Sequence, residues 1–343
     1  MMRTNILSLL LLLLLLLVAV TGHAADRVII DARTEAVIRG ALTYLSKNQA
    51  PNGSMLGVTD KERQYPQAMT AYTLMAFQAA GQLPGEGEFG ANVTRAVKYL
   101  LDQVADDGLI NRGGGGHYMY THGITTIALA EAYGQATDPA IRKKLASLVK
   151  VIVSSQNNEG GWRYRPIASD ADVSVTVLQV VALRAAKNGG IDVPQKTIDD
   201  AIGYVRSCTA TEGGFAYQPG QPAGFARTAA AIYSLQVCGQ YDDPLVKSGS
   251  KYLFDNYKAG ERWFTYGNFY AAPAQYMIGG DTWARWYALL KESLLGAVIE
   301  PGDGSAYWDI KLDPGGGTGP VYSTAVYTMI LAMPNHYVPL YQR

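Results

Sequence analysis

Gln156-Asn157-Asn158-Glu159-Gly160-Gly161-Trp162 reads as a tight turn, and it is one of a series. Related turns stand at Asn52-Gly53-Ser54, Asp107-Gly108-Leu109, Glu212-Gly213-Gly214-Phe215 and Asp303-Gly304-Ser305, with a looser copy at Glu261-Arg262-Trp263-Phe264. The interval is 52 to 55 residues from Gly53 to Gly213 and then shortens to about 49 and 42. A period of this size marks a repeat architecture in which each unit is one supersecondary element.

Before each turn lies an amphipathic helix. Ile38, Ala41, Leu42 and Leu45 fall at helical spacing, as do Ile141, Leu145, Leu148 and Ile152, and Ile198, Ala201, Ile202 and Val205. Trp286, Leu289, Leu290 and Leu294 supply the sixth stripe. Charged residues such as Arg142, Lys143 and Lys144 occupy the other side, so these are outer helices with one wet face. After each turn comes a helix without a wet face: Thr70 to Ala80, Thr125 to Tyr133, Val173 to Ala186, Thr228 to Val237 and Ser323 to Met333. Such helices are buried. The fifth inner segment, Tyr266 to Ile278, contains Pro273 and is expected to be short or kinked.

Six apolar inner helices need cover on every side. Closing six hairpins into a ring supplies it, with the inner helices as a barrel and the outer ones as a sheath. An open solenoid usually needs polar capping repeats, yet the sixth repeat is as apolar as the rest. The expected fold is an all-α (α/α)6 toroid over residues 25–343.

The first 24 residues read as a signal peptide. Arg3 precedes a leucine-rich run of fifteen residues, Ile6 to Val20, and Gly22-His23-Ala24 offers small residues for cleavage after Ala24. The run is short for a membrane span, which needs roughly 20 apolar residues; retention as an anchor is the alternative. Export to the periplasm or the extracellular space is expected, with no transmembrane helix beyond this region. Acidic and basic residues balance at 29 each, which gives no sign of nucleic-acid binding. Cys208 and Cys238 lie at the ends of consecutive antiparallel helices roughly 20 Å long, too far apart for a disulfide. Two free thiols are expected.

The turn with Gln156, Gly160, Gly161 and Trp162, followed by an apolar inner helix, resembles the glutamine-tryptophan repeat of squalene and hopene cyclases. Asp303-Gly304-Ser305 with Trp308, then Tyr322-Ser323-Thr324-Ala325, resembles it again. The rhythm is similar to that of exported bacterial single-toroid proteins carrying prenyltransferase and squalene oxidase repeats. The resemblance implies the toroid, which hosts cyclases, protein prenyltransferases, thioester domains and polysaccharide lyases, and so it is weak for activity. The Asp–Cys–His zinc site of protein prenyltransferases has no counterpart here: there is no C-x-x-C or H-E-x-x-H pattern. No metal and no cofactor are expected. The Gly-Cys-Gly-Glu-Gln run of thioester domains is missing too. The cyclase resemblance has one foothold, Asp170-Ala171-Asp172-Val173-Ser174-Val175, which looks like the D-x-D-D-T-A acid motif. It implies Asp172 as proton donor with Asp170 beside it, although Val173 replaces the third acid. As plain residues, aspartates at a helix start cap free backbone N–H groups.

Other residues point to a mouth of the ring. His117-Tyr118-Met119-Tyr120-Thr121-His122 precedes the second inner helix; His122 is a third candidate for acid–base work, and His117, Tyr118 and Tyr120 for ligand contact. Trp162-Arg163-Tyr164-Arg165 alternates aromatic and cationic side chains that could hold an anionic or sugar group. Tyr65, Tyr270 and Tyr322 lead into inner helices. Each of these has a packing role as its plainer reading. Gly113 to Gly116 and Gly315 to Gly319 read as flexible surface loops, since neither continues into Gly-Lys-Ser/Thr. No nucleophile elbow appears. Three functions remain open: binding of an apolar or isoprenoid-like ligand in a central cavity, acid-catalysed terpene cyclisation, and a structural or interaction module or carbohydrate-active enzyme.

Overall fold

The structure is a computed structural model that describes residues 28–110, 115–135 and 138–338. The expected signal peptide, Gly113 and Gly114 lie outside the described residues. In chain order the helices are α1 (Ala32–Lys47), α2 (Asp60–Gln64), α3 (Pro66–Ala79), α4 (Gly90–Gln103), α5 (Tyr118–Gln135), α6 (Pro139–Ser154), α7 (Val173–Asn188), α8 (Gln195–Ser207), α9 (Phe225–Val237), α10 (Pro244–Asp255), α11 (Phe264–Ile278), α12 (Gly280–Ala297) and α13 (Pro320–Ala332). Among the described residues no strand forms, only isolated antiparallel bridges at the turns. No helix there is long and apolar enough to cross a membrane.

The outer helices are α1, α4, α6, α8, α10 and α12; the inner ones are α3, α5, α7, α9, α11 and α13. Each inner helix packs on the next, and α13 packs on α3 and α1, which closes the ring. The periodicity explains the division. In α6 only the stripe Ile141, Leu145, Leu148, Val149, Val151 and Ile152 is buried, whereas in α7 every residue from Val173 to Leu183 is. Burying each large side chain of such a stripe contributes roughly 1.5–3 kcal/mol.

The turns are joined to both helices of their own hairpin and to the next repeat. Trp162 N–H donates to Thr176 Oγ1 at 3.1 Å, and Met55, Phe215 and Trp308 donate to Thr70, Thr228 and Thr324 in the same way. Gln156 Nε2 donates to Gly160 O at 2.8 Å and to Thr197 O, on the next outer helix, at 2.9 Å. Gly160 has φ +93, and a Cβ there would run into the Asp200 carbonyl. Glycine is therefore required at this position both for conformation and for contact.

Three expectations change. Of the two outcomes expected at Pro273, the short helix is the one that fails: α11 runs fifteen residues with Pro273 inside it, flanked by inner helices, and Gln236 Nε2 donates to the Ala274 carbonyl at 2.9 Å. Helix α5 starts at Tyr118, not Thr125, so His122 lies inside it. Gly315 to Gly319 is not a loose loop: Gly316, Gly317 and Gly319 are buried, and a Cβ would strike Asp313 at the first, Ile310 at the second and Glu62 at the third. Their role is close approach of the backbone at the ring closure. Both cysteines are free, Cys208 buried and Cys238 partly buried.

Candidate functional site

All inner helices begin on the turn side of the ring, so their N-termini surround one mouth. Asp172 caps α7 there. Its Oδ1 accepts from Val175 N–H at 2.9 Å, the local reason for this residue type at a helix start. The side chain is fully buried, yet Oδ2 accepts no hydrogen bond of good geometry, the Tyr217 hydroxyl being a neighbour that acts on it only weakly. Its nearest cation is Arg163 Nε at 3.4 Å. Burial pushes the Asp172 carboxyl up to about 6, against the opposing pull of the Val175 N–H, the Tyr217 hydroxyl and Arg163.

Repeats two to five build the surroundings. Arg163 pairs with Asp170, whose side chain is 54% exposed, and its guanidinium lies 5.1 Å from the Tyr164 ring and 5.9 Å from that of Tyr217. The hydroxyls of Tyr164 and Tyr217 are 2.5 Å apart. Tyr120 stacks on Tyr164 at 6.1 Å and meets Tyr266 edge-on at 6.5 Å. Helices α5 and α11 stand on opposite sides of the ring, so this last contact spans the mouth. Tyr266 also donates its hydroxyl to Ser174 O at 3.0 Å, and burial raises its pKa. His117 is exposed and packs on Tyr164 at 4.8 Å. Gln218 Nε2 donates to Ala171 O at 2.8 Å and to Asp170 at 3.3 Å. Below the mouth, Phe269, Tyr270, Tyr72 and Tyr322 form a chain of ring contacts through the interior.

The structure thus brings together Asp170, Asp172, His117, Tyr120, Arg163 and Tyr164 from the candidate residues. Others stand apart. His122 is buried and turns outward, its Nε2 3.1 Å from the Leu148 carbonyl of α6; burial lowers its pKa to about 4, so the ring is neutral near pH 7. Tyr118 accepts from Ile110 N–H at 2.6 Å. Trp162 is buried, with Nε1 donating to Ile152 O at 2.7 Å, and Trp308 does the same with Leu294. Indoles here fasten a turn to its outer helix. Tyr65 is the half-buried N-cap of α3, Arg165 is exposed, and Tyr270 and Tyr322 are buried in the interior. Among the described residues no group of three His, Cys, Asp or Glu side chains is placed to hold a metal.

Sequence reasoning missed Tyr217, Gln218 and Tyr266. For Tyr217 a signal existed: it stands three residues after Gly214 as Tyr164 stands three after Gly161. The looser fifth turn carries the same register: Tyr266 stands five residues after Glu261, as Tyr164 does after Glu159 and Tyr217 after Glu212.

The geometry of six closed hairpins agrees with the match of the prenyltransferase alpha-alpha toroid domain to residues 54–265, more than half of the chain. The chain belongs to this family. Solved structures with the toroid architecture include a glycosidase variant, at TM-score 0.63 and 11% identity over 90% of this chain and 98% of that one. Type II terpene cyclase MstE from Scytonema matches at 0.58 and 14% identity over 89% and 99%. Cellobiose 2-epimerase from Bacillus thermoamylovorans matches at 0.61 and 12% over 86% and 97%. At these identities the likeness shows the fold alone. No curated protein matches the sequence.

Proposed function

We propose that this toroid is an exported protein that takes a small-molecule ligand at its tyrosine-lined mouth, with Asp172 as the group that hydrogen-bonds to it or exchanges a proton with it. The observation that carries this reading is Asp172 Oδ2, a fully buried carboxylate oxygen that accepts no well-formed hydrogen bond, has Arg163 Nε at 3.4 Å and lies in a cluster of aromatic rings. Folded proteins rarely leave such an atom unmatched, and a carboxyl held near pH 6 suits proton exchange. The faces of Tyr120, Tyr164 and Tyr266 offer an apolar wall for the body of the ligand. Access to Asp172 requires Arg163 to swing aside. The leucine-rich amino-terminal stretch supports export.

A deep isoprenoid cavity has less support, because Tyr72, Phe269, Tyr270 and Tyr322 crowd the interior. Terpene cyclisation is kept as a second reading by one observation, a raised carboxyl beside aromatic rings. Related toroids have been solved with glucose and with geranylgeranyl dihydroxybenzoate, so the fold admits both ligand types. The test is mass spectrometry of an extract of the natively purified protein, followed by thermal-shift titration of the wild type and Asp172→Asn with prenols, squalene and saccharides. A ligand whose stabilising effect disappears in Asp172→Asn is the expected result. Equal shifts in both proteins would sink the proposal, and turnover unchanged in Asp172→Asn would end the cyclase reading.

A further inference from the structure

The side chain nearest to the orphaned carboxylate oxygen is itself a ligand-like group. Arg163 is 29% exposed and lies over the rings of Tyr164 and Tyr217 with Asp172 on one side and Asp170 on the other. Aromatic faces closed by a carboxylate form the environment in which proteins hold organic cations. Three features distinguish this from a permanent structural ion pair. Arg163 Nε stands 3.4 Å from Asp172, beyond a good hydrogen bond, so the buried acceptor stays unsatisfied. The closer partner, Asp170, is half exposed, and both belong to the stretch between Trp162 and α7, so moving the pair outward breaks one long side-chain contact, from Gln218 at 3.3 Å. A pair with its acid this exposed is screened by water on that side. Finally, the equivalent position in the fourth repeat is Ala216, so the turn does not need an arginine for its own geometry.

We infer that the mouth is a cage for a compact organic cation, an alkylammonium group, and that Arg163 occupies it in the absence of ligand. The inference rests on the mouth being the ligand site and names the class of ligand. Displacing Arg163 with Asp170 leaves the walls of Tyr120, Tyr164, Tyr217 and Tyr266 above the Asp172 carboxylate. An incoming ammonium replaces Arg163 as the positive partner of Oδ2.

The test uses choline and its uncharged carbon isostere, dimethylbutanol, in calorimetric titrations of the full chain. Choline is expected to bind Arg163→Gln at least about tenfold more tightly than the wild type, the scale of a desolvated cation–π contact. It is expected to bind Asp170→Asn several-fold more weakly, since that change removes the exposed partner that draws Arg163 away from Asp172, at a position that carries little folding risk. Added Asp172→Asn abolishes binding in both backgrounds, and dimethylbutanol binds none of the proteins. Equal affinity for choline and the isostere, no gain in Arg163→Gln, or a gain in Asp170→Asn, overturns the cation inference. The mouth reading survives that failure if an extracted neutral ligand still depends on Asp172, and falls with it if Asp172→Asn alters no binding at all.

Discussion

Three buried carboxylates stand at inner-helix N-termini, and they are not alike. Glu62, from the first repeat, has both oxygens matched: Oε2 accepts from Val58 N–H at 2.7 Å and Thr59 N–H at 3.3 Å, and Oε1 from Tyr322 N–H of α13 at 3.0 Å. Asp313, from the sixth, accepts from Trp263 N–H at 2.6 Å and Thr265 N–H at 3.1 Å at the start of α11. It holds Trp263 at φ +68, a conformation that a bulky residue rarely adopts unaided. Asp172 caps its own helix with one oxygen and leaves the other unmatched. The first two carboxylates tie separate repeats together with main-chain hydrogen bonds. The third has spare capacity, and it alone sits among the tyrosines of the mouth. Equal burial at equivalent ends of helices therefore serves stability in two cases and leaves a reactive group in the other.

The largest effect is expected at Glu62. Glu62→Ala strips three N–H groups of their acceptor, the one on Tyr322 buried and the other two partly so, and should lower stability by about 3–5 kcal/mol, visible as a large fall in thermal midpoint. A loss below about 1 kcal/mol would mean that Glu62 does not lock the ring.

Asp172 should show itself through pH. Its folded pKa, about 6, is raised from 3.8, so its favourable contribution is complete below about pH 4 and is lost as pH rises through 6. Relative to Asp172→Asn, the wild type should lose on the order of 3 kcal/mol between pH 4 and 7. Parallel stability profiles of the two proteins over that range would refute the raised carboxyl.

At Asp313 the same change to asparagine should be felt through its two backbone donors. The amide has one accepting oxygen for both, and the loss should be about 2 kcal/mol in urea unfolding at neutral pH. A neutral outcome would erase the distinction between Asp313 and Asp172. The smallest effect belongs to Arg165→Ala. Its exposed side chain should leave both stability, within about 0.5 kcal/mol, and choline binding unchanged, whereas Arg163→Gln changes the second.

How much of this could be read from the chain depends on distance along it. The hairpin rhythm was legible because it is written in local patterns: glycine turns, one-sided apolar stripes before them and all-round apolar helices after them. Asp172 as a helix cap was legible for the same reason, since a cap and its N–H are three residues apart. The roles of Trp162 and His122 were not. An indole or imidazole beside a turn is equally suited to a mouth or to an outer-helix carbonyl, and only packing decides which.

The sequence by itself determined six hairpins, their inner and outer faces, and an acidic residue at the start of the third inner helix. These follow from periods of a few residues and from glycine conformations that no distant contact needs to supply. Only the tertiary structure decided that Glu62 reaches a helix 260 residues away, that Gly319 is small because Glu62 lies against it, and that Tyr217 and Tyr266 join Tyr120 and Tyr164 around Asp172. Those pairings depend on how tightly the ring closes. Closure is a sum over every inner interface, and no single stretch of the chain records that sum.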